Sequence, residues 1–368
     1  MAAALRLVVG WASVAAFFVF GPSWLGDLSS PLWATGLFLW LFAVIMWMAF
    51  GVVHEAEELA EILGEPLGTL VLTLSIVIIE VVLVSAVMLS AKAAPTLGRD
   101  TMFAVLMIVL NGIVGLGLLI GGLRHHQQSY NLQGAAAFLS VIIPLTTIAL
   151  IIPNFTTSTH GGTLTPLQAI SFSVFTVVLY GIFLLIQTKR HSSFFVYEGE
   201  MPEKAVVRAP DPDAPSKLAP ILTHVALLVA NILPIVLLSK SLAAILDHGI
   251  EALGAPSALG GVLIAAIVFT PEGISALKAV ARNELQRAIN LCLGAATSTV
   301  GLTVPAILAV GLLSGQEVVL GLAPTEMALL VVTLILSTLT FSGLRTTVLE
   351  GAVHLAVFFV YLVLIFSP

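Results

Sequence analysis

The chain has 368 residues; 59% are hydrophobic, 9% are charged, and the mean hydropathy is +1.11. Soluble domains carry roughly 25% charged residues, so 14 basic and 20 acidic side chains cannot coat a water-soluble body, and a soluble enzyme is excluded. The net charge of −6 excludes a nucleic-acid binder, which needs a basic surface, and the single cysteine, Cys292, excludes an internal disulfide.

In chain order, apolar stretches run near 5–21, 31–53, 68–91, 101–123, 134–152, 165–188, 221–246, 257–280, 288–313, 325–343 and 346–366. Each suits the roughly 20 residues a membrane-spanning helix needs; barrel strands would be about 10 residues long and would alternate strictly. The expected fold class is an all-α integral membrane protein of about eleven transmembrane helices. The first stretch carries one basic residue, Arg6, and no small-x-small cleavage pattern, so it reads as a helix rather than a secretory signal. With the N-terminus in the cytoplasm, eleven of the 14 basic residues fall on the cytoplasmic side; Lys92, Arg99 and Lys240 fall opposite. That asymmetry follows the positive-inside rule and supports an odd number of spans. The expected location is a bacterial inner membrane.

Between the sixth and seventh stretches lies a long polar segment, Lys189 to Pro220, with five prolines and mixed charges. It reads as a cytoplasmic linker without a core. The expected organisation is an extra helix over 1–30, a five-helix repeat over 31–188, the linker over 189–220, and a second five-helix repeat over 221–368. Glu61-Ile62-Leu63-Gly64-Glu65-Pro66 precedes one hydrophobic helix and Glu251-Ala252-Leu253-Gly254-Ala255-Pro256 precedes another. Each helix then carries one deep acid, Glu80 and Glu272, 192 positions apart. The following helices hold Asn111-Gly112-x-x-Gly115 and Thr297-Ser298-x-x-Gly301. Five spans per repeat invert the second copy, an arrangement that places transport sites near the midplane.

Glu80 lies in an apolar run, where a charge costs roughly 2.5–3.5 kcal/mol on insertion scales. At 100° per residue, Thr69 and Thr73 share its face. The bland alternative is a protonated acid in a structural interhelical hydrogen bond. Glu272 follows Pro271, which lacks a backbone donor, and precedes Gly273; Thr270 and Ser275 flank it. The alternative there is a kinked helix with its acid nearer the interface. Carboxylate, carbonyl and hydroxyl oxygens at one depth suit hard cations. One divalent cation neutralises two carboxylates, and so do two protons. Thr73, Asn111, Thr270, Ser275, Thr297 and Ser298 are the candidate neutral ligands, with ordinary helix packing as the alternative for each. The acids Glu55, Glu57, Glu58, Glu61 and Glu65 read as a solvated or interfacial amphipathic helix, with a cation-attracting vestibule as the second reading. Glu350 and His354 share a face of the last helix and are candidates for a proton path; Cys292 reads as inert filler.

The stretch from Gly64-Glu65-Pro66-Leu67-Gly68 through Glu80 to Val87-Met88-Leu89 resembles the first signature of the ChaA-type calcium/proton antiporters, within the cation/calcium exchanger superfamily. Arg124-His125-His126-Gln127, Ile142-Ile143-Pro144-Leu145, Thr270-Pro271-Glu272-Gly273 and Gln286-Arg287-Ala288-Ile289-Asn290 leading to Leu302-Thr303-Val304-Pro305-Ala306 are similar as well. The resemblance spans roughly residues 50 to 366. It implies two inverted five-helix repeats with an extra N-terminal helix, export of calcium, or of sodium or potassium, against protons, and Glu80 and Glu272 as the paired ion-binding acids. Vacuolar-type relatives carry Gly-Asn four and three residues before each acid; here those positions are Ile76-Val77 and Val268-Phe269.

The expected function is therefore a secondary-active Ca2+/H+ antiporter working by alternating access, with no organic cofactor. Its expected partners are membrane lipid and inorganic cations, and a homo-oligomer is left open. The same-class alternative is a Na+/H+ or K+/H+ antiporter, and the different-class alternative is a passive cation channel. An intramembrane enzyme would need a nucleophile–base pair or a metal triad at membrane depth, and the sequence presents neither.

Overall fold

The computed structural model describes residues 2–64, 67–89, 95–196 and 218–367. Eleven apolar helices follow one another: α1 Ala2–Gly26, α2 Pro31–Leu63, α3 Leu67–Met88, α4 Leu97–His125, α5 Leu132–Phe155, α6 Pro166–Arg190, α7 Leu218–Leu253, α8 Ala258–Ala281, α9 Leu285–Ser314, α10 Pro324–Thr340 and α11 Val348–Phe366. Ten are 18 residues or longer and α10 has 17, so all eleven expected spans are present. Most of the proline-dense linker, 197–217, lies outside the described residues, as do Glu65, Pro66 and Lys92.

Local chemistry sets the ends. Thr165 and Gln168 form a capping box over α6, with Pro166 in its first turn, where no donor is needed. Asn131 caps α5 by accepting from the Gln133 and Gly134 amides. Glu350 is used in the same way: its Oε2 accepts from Thr347 N at 2.9 Å and from Thr347 Oγ1 at 2.5 Å. Glu350 is thus a cap on α11, and its hydrogen bonds go to Thr347 while those of His354 go elsewhere.

Spans α4 and α9 are broken at their centres by π-helical segments, Met107–Ile113 and Thr299–Thr303. Pro305, just past the second, supplies no backbone donor to the turn before it. These segments occupy corresponding places in the two halves. A short antiparallel pair ties the halves together, with Gln128 opposite Thr346 and Ser129 opposite Arg345.

Small residues let the helices cross closely, as lipid-embedded packing requires. A Cβ on Gly261 of α8 would stand 2.7 Å from the Thr101 backbone nitrogen of α4, and one on Gly351 of α11 would stand 2.4 Å from Leu119 N. The extra helix α1 packs on α2 and α7. Its Arg6, 8% exposed, donates Nε to Asn231 Oδ1 at 2.9 Å and reaches Glu55 Oε1 at 3.4 Å, while His224 Nδ1 meets Glu55 Oε2 at 2.8 Å. The acidic stretch is therefore no separate surface helix. It is the end of α2, and Glu55 is buried in an ion-paired cluster with partners from α1 and α7.

Candidate ion-binding site

Glu80 stands in the middle of α3 with none of its surface exposed. The π-helical turn of α9 is what meets it. There Thr299 Oγ1 and Thr303 Oγ1 both donate to Glu80 Oε2, at 3.0 and 2.9 Å. The other oxygen, Oε1, is buried and accepts no hydrogen bond.

Glu272 lies on α8, the corresponding helix of the second half, and is half-buried. Its Oε2 also lacks a hydrogen-bond partner. Glu80 and, more weakly, Glu57 of α2 lie within electrostatic reach of Glu272. Buried polar atoms are ordinarily satisfied. Two unpartnered carboxylate oxygens are groups to which a cation or a proton would bind favourably.

Glu272 borders a cavity of about 360 Å3 whose other walls include Thr73, Tyr180, Gln187, Asn290 and Ser298. It extends to Ser192 and Arg287, at the end of α6 and the start of α9. By the alternation of the spans, that is the side of the membrane on which the described chain begins. Glu80 does not line it. One acid therefore faces an aqueous-sized opening, and the other is sealed behind it under two hydroxyls. No group of three or more His, Cys, Asp or Glu side chains converges on a common point among the described residues.

The neutral candidates divide. Thr73 and Ser298 line the cavity. Ser298 Oγ donates to Ala295 O, Thr297 Oγ1 to Leu293 O and Thr270 Oγ1 to Ala266 O, each within its own helix. Neither Thr270 nor Ser275 lines the cavity. Asn111 is fully buried but turned away from both acids, donating Nδ2 to Thr333 Oγ1 at 2.8 Å and facing His354 Nδ1 at 3.0 Å.

Thr299 and Thr303, which do touch an acid, were not among the candidates. The signal was present: Thr303 lies 192 positions after Asn111, the spacing that separates the two glutamates. Matching Thr297-Ser298 with Asn111-Gly112 through their small residues uses a different spacing and passes over Thr303.

A family model for the sodium/calcium exchanger protein matches residues 33–189 and 223–367. The protein y4hA of Sinorhizobium fredii is 42% identical over 320 residues, 87% of this chain and 85% of that one. The sodium-potassium/proton antiporter ChaA of Escherichia coli is 40% identical over 329 residues, 88% of this chain and 87% of its own. Among solved structures, native YfkE superposes with a TM-score of 0.73 at 16% identity, covering 99% of this chain and 100% of that one, which is a likeness of fold.

Proposed function

The chain belongs to the sodium/calcium exchanger protein family, and from that premise we propose that it is a secondary-active cation/proton antiporter with Glu80 and Glu272 as its shared ion and proton site. One observation carries the reading: two carboxylates, on corresponding helices of two inverted halves, each keep a buried oxygen that accepts no hydrogen bond, and Glu272 lies within electrostatic reach of Glu80. Such a pair holds a cation or protons, but not both at full occupancy. Competition for it couples the two flows.

Calcium is the first-choice cargo. Two ionised carboxylates balance one divalent cation, and Ca2+ takes 6–8 oxygens at about 2.3–2.6 Å. The Thr299 and Thr303 hydroxyls, which can turn from donor to acceptor, and the carbonyl that Pro271 leaves without a donor would supply part of that shell. The cation reaches Glu272 through the cavity, the site closes and reopens on the other side, and protons displace the cation there. With the N-terminus cytoplasmic, as the basic residues suggest, the described state faces inward and the cycle exports the cation.

A second reading is favoured by a specific finding: the 40% identical relative is named a sodium-potassium/proton antiporter. A monovalent ion leaves one carboxylate to keep a proton. A passive channel is disfavoured by the sealed position of Glu80. The test is transport in everted membrane vesicles, one cation at a time, following vesicle pH. Proton release on adding Ca2+ alone supports calcium, and release on Na+ or K+ alone supports the second reading. Cation flux without proton movement overturns antiport.

A further inference from the structure

The π-helical segments of α4 and α9 are each backed by an aromatic ring from the other half. The fifth helix of one half meets the third helix of the other, and a glycine marks both meetings. Gly301 lies in Thr299–Thr303 of α9, and a Cβ there would stand 3.0 Å from Tyr180 Cβ and 3.1 Å from Tyr180 Cγ of α6. Gly112 lies in Met107–Ile113 of α4, and a Cβ there would stand 3.3 Å from Phe358 Cζ of α11. Helices approach this closely where the residue between them is glycine.

The two rings differ in reach. Phe358 touches its glycine with the tip of the ring and carries no polar atom. Tyr180 touches with the root of its side chain, and its hydroxyl extends to within hydrogen-bonding range of the Thr73 side chain. Thr73 belongs to α3, the helix that carries Glu80. Tyr180 is 6% exposed and is the deepest residue of α6 on the cavity wall.

Gly301 stands two residues after Thr299 and two before Thr303. In a π-helical segment that is about half a turn from each, so Gly301 faces away from Glu80 while the two hydroxyls face it. Tyr180 therefore backs the segment from the far side. The contacts close a circuit. Glu80 of α3 meets Thr299 and Thr303 of α9; Gly301 of the same segment meets Tyr180 of α6; Tyr180 returns to Thr73 of α3.

We propose that Tyr180 is a positioning residue for the sealed acid: seated on Gly301 and tied to Thr73, it holds the π-helical segment so that the Thr299 and Thr303 hydroxyls stay on Glu80. It acts through that segment rather than on the ion. The inference rests on the two-acid antiport reading.

The test reads the cation KM and the saturating rate of proton exchange in proteoliposomes, with Ca2+, Na+ and K+ supplied one at a time. Tyr180→Leu removes the ring and the hydroxyl. Gly301→Ala disturbs the same contact from α9, and either variant carries the test if the other does not insert. Each displaces the two hydroxyls without deleting them, so each should raise the KM by roughly two- to tenfold and leave the saturating rate near the parent's. Phe183→Leu is the control for lost aromatic bulk on α6: that ring packs on Phe138 and Phe195, and its loss should leave the KM unchanged. In a Thr303→Val background, Tyr180→Leu and Gly301→Ala should raise the KM much less than they do in the parent, because one of the hydroxyls they misplace is already gone. A parent-like KM in either variant, a rise matched by Phe183→Leu, or full additivity with Thr303→Val overturns the proposal. Glu80→Gln with Glu272→Gln is assayed for exchange in parallel proteoliposomes. If exchange survives there, the antiport reading itself fails; if it is lost and the Tyr180 and Gly301 variants show none of these effects, only this inference fails.

Discussion

Thr303 of α9 donates its hydroxyl to Glu80 of α3 at 2.9 Å, across 223 residues of sequence. A helix of the second half thereby closes over the acid of the first, in a place where the helical turn widens to put Thr299 beside it. The relationship joins the two halves at Glu80.

The first prediction concerns that clamp. Thr303→Val keeps the shape and removes the hydroxyl. A hydrogen bond to a charged group is worth about 1.5–3 kcal/mol, so the KM for the cation should rise roughly tenfold or more, with Thr303→Ser close to the parent. Cation-dependent proton exchange in proteoliposomes measures both; an unchanged KM in Thr303→Val removes Thr303 from the site.

Glu57 would pass as a surface acid on sequence alone, but it is half-buried and its charge acts on Glu272. Glu57→Gln should raise the cation KM by roughly two- to threefold at low salt, and the effect should shrink at high salt as screening sets in. Glu61, exposed at the end of α2, is the control and should tolerate Gln.

The extra helix is fixed by charge. Removing one partner of a buried ion pair destabilises by about 3–5 kcal/mol, whereas replacing both by apolar residues is often neutral. Arg6→Met should lower the melting temperature in detergent, although His224 still meets Glu55. Arg6→Met with Glu55→Met should recover most of the loss. Additive losses in the double variant would contradict the pairing.

Much of this molecule was legible from sequence because lipid makes the rules strict. Eleven apolar runs became eleven helices, and two acids in apolar surroundings stood out. The neutral partners were less legible. A wheel of 100° per residue placed Thr69 and Thr73 on the face of Glu80, and both line the cavity, from which Glu80 is shut out. The hydroxyls that reach Glu80 come from α9, 219 and 223 residues away, and a wheel ranks residues within one helix only. Glu55 read as solvated because its partners, Arg6 and His224, lie 49 and 169 residues away, beyond any local pattern.

The pH dependence has a definite sign. The carboxylates take a cation only when ionised, so protons on the loading side compete with it. As pH on that side falls, the cation KM should rise while the rate at saturating cation stays constant. Tyr130, between α4 and α5, is pushed up to about 12 by burial and by the charge of Glu350; it stays protonated, donating to Gly343 O at 2.5 Å, and adds nothing to the profile. A KM independent of pH would separate proton and cation sites.

The central claim is that Glu80 and Glu272 form one exchange site. Purified protein with Glu80→Gln and Glu272→Gln together, reconstituted into proteoliposomes with an imposed pH gradient, tests it most directly, with the melting temperature measured on the same sample. The account predicts an intact melting transition, since neutralising buried acids removes a desolvation cost, and no proton movement on adding Ca2+, Na+ or K+. Cation-driven proton exchange at the parent's rate in that double variant would contradict it.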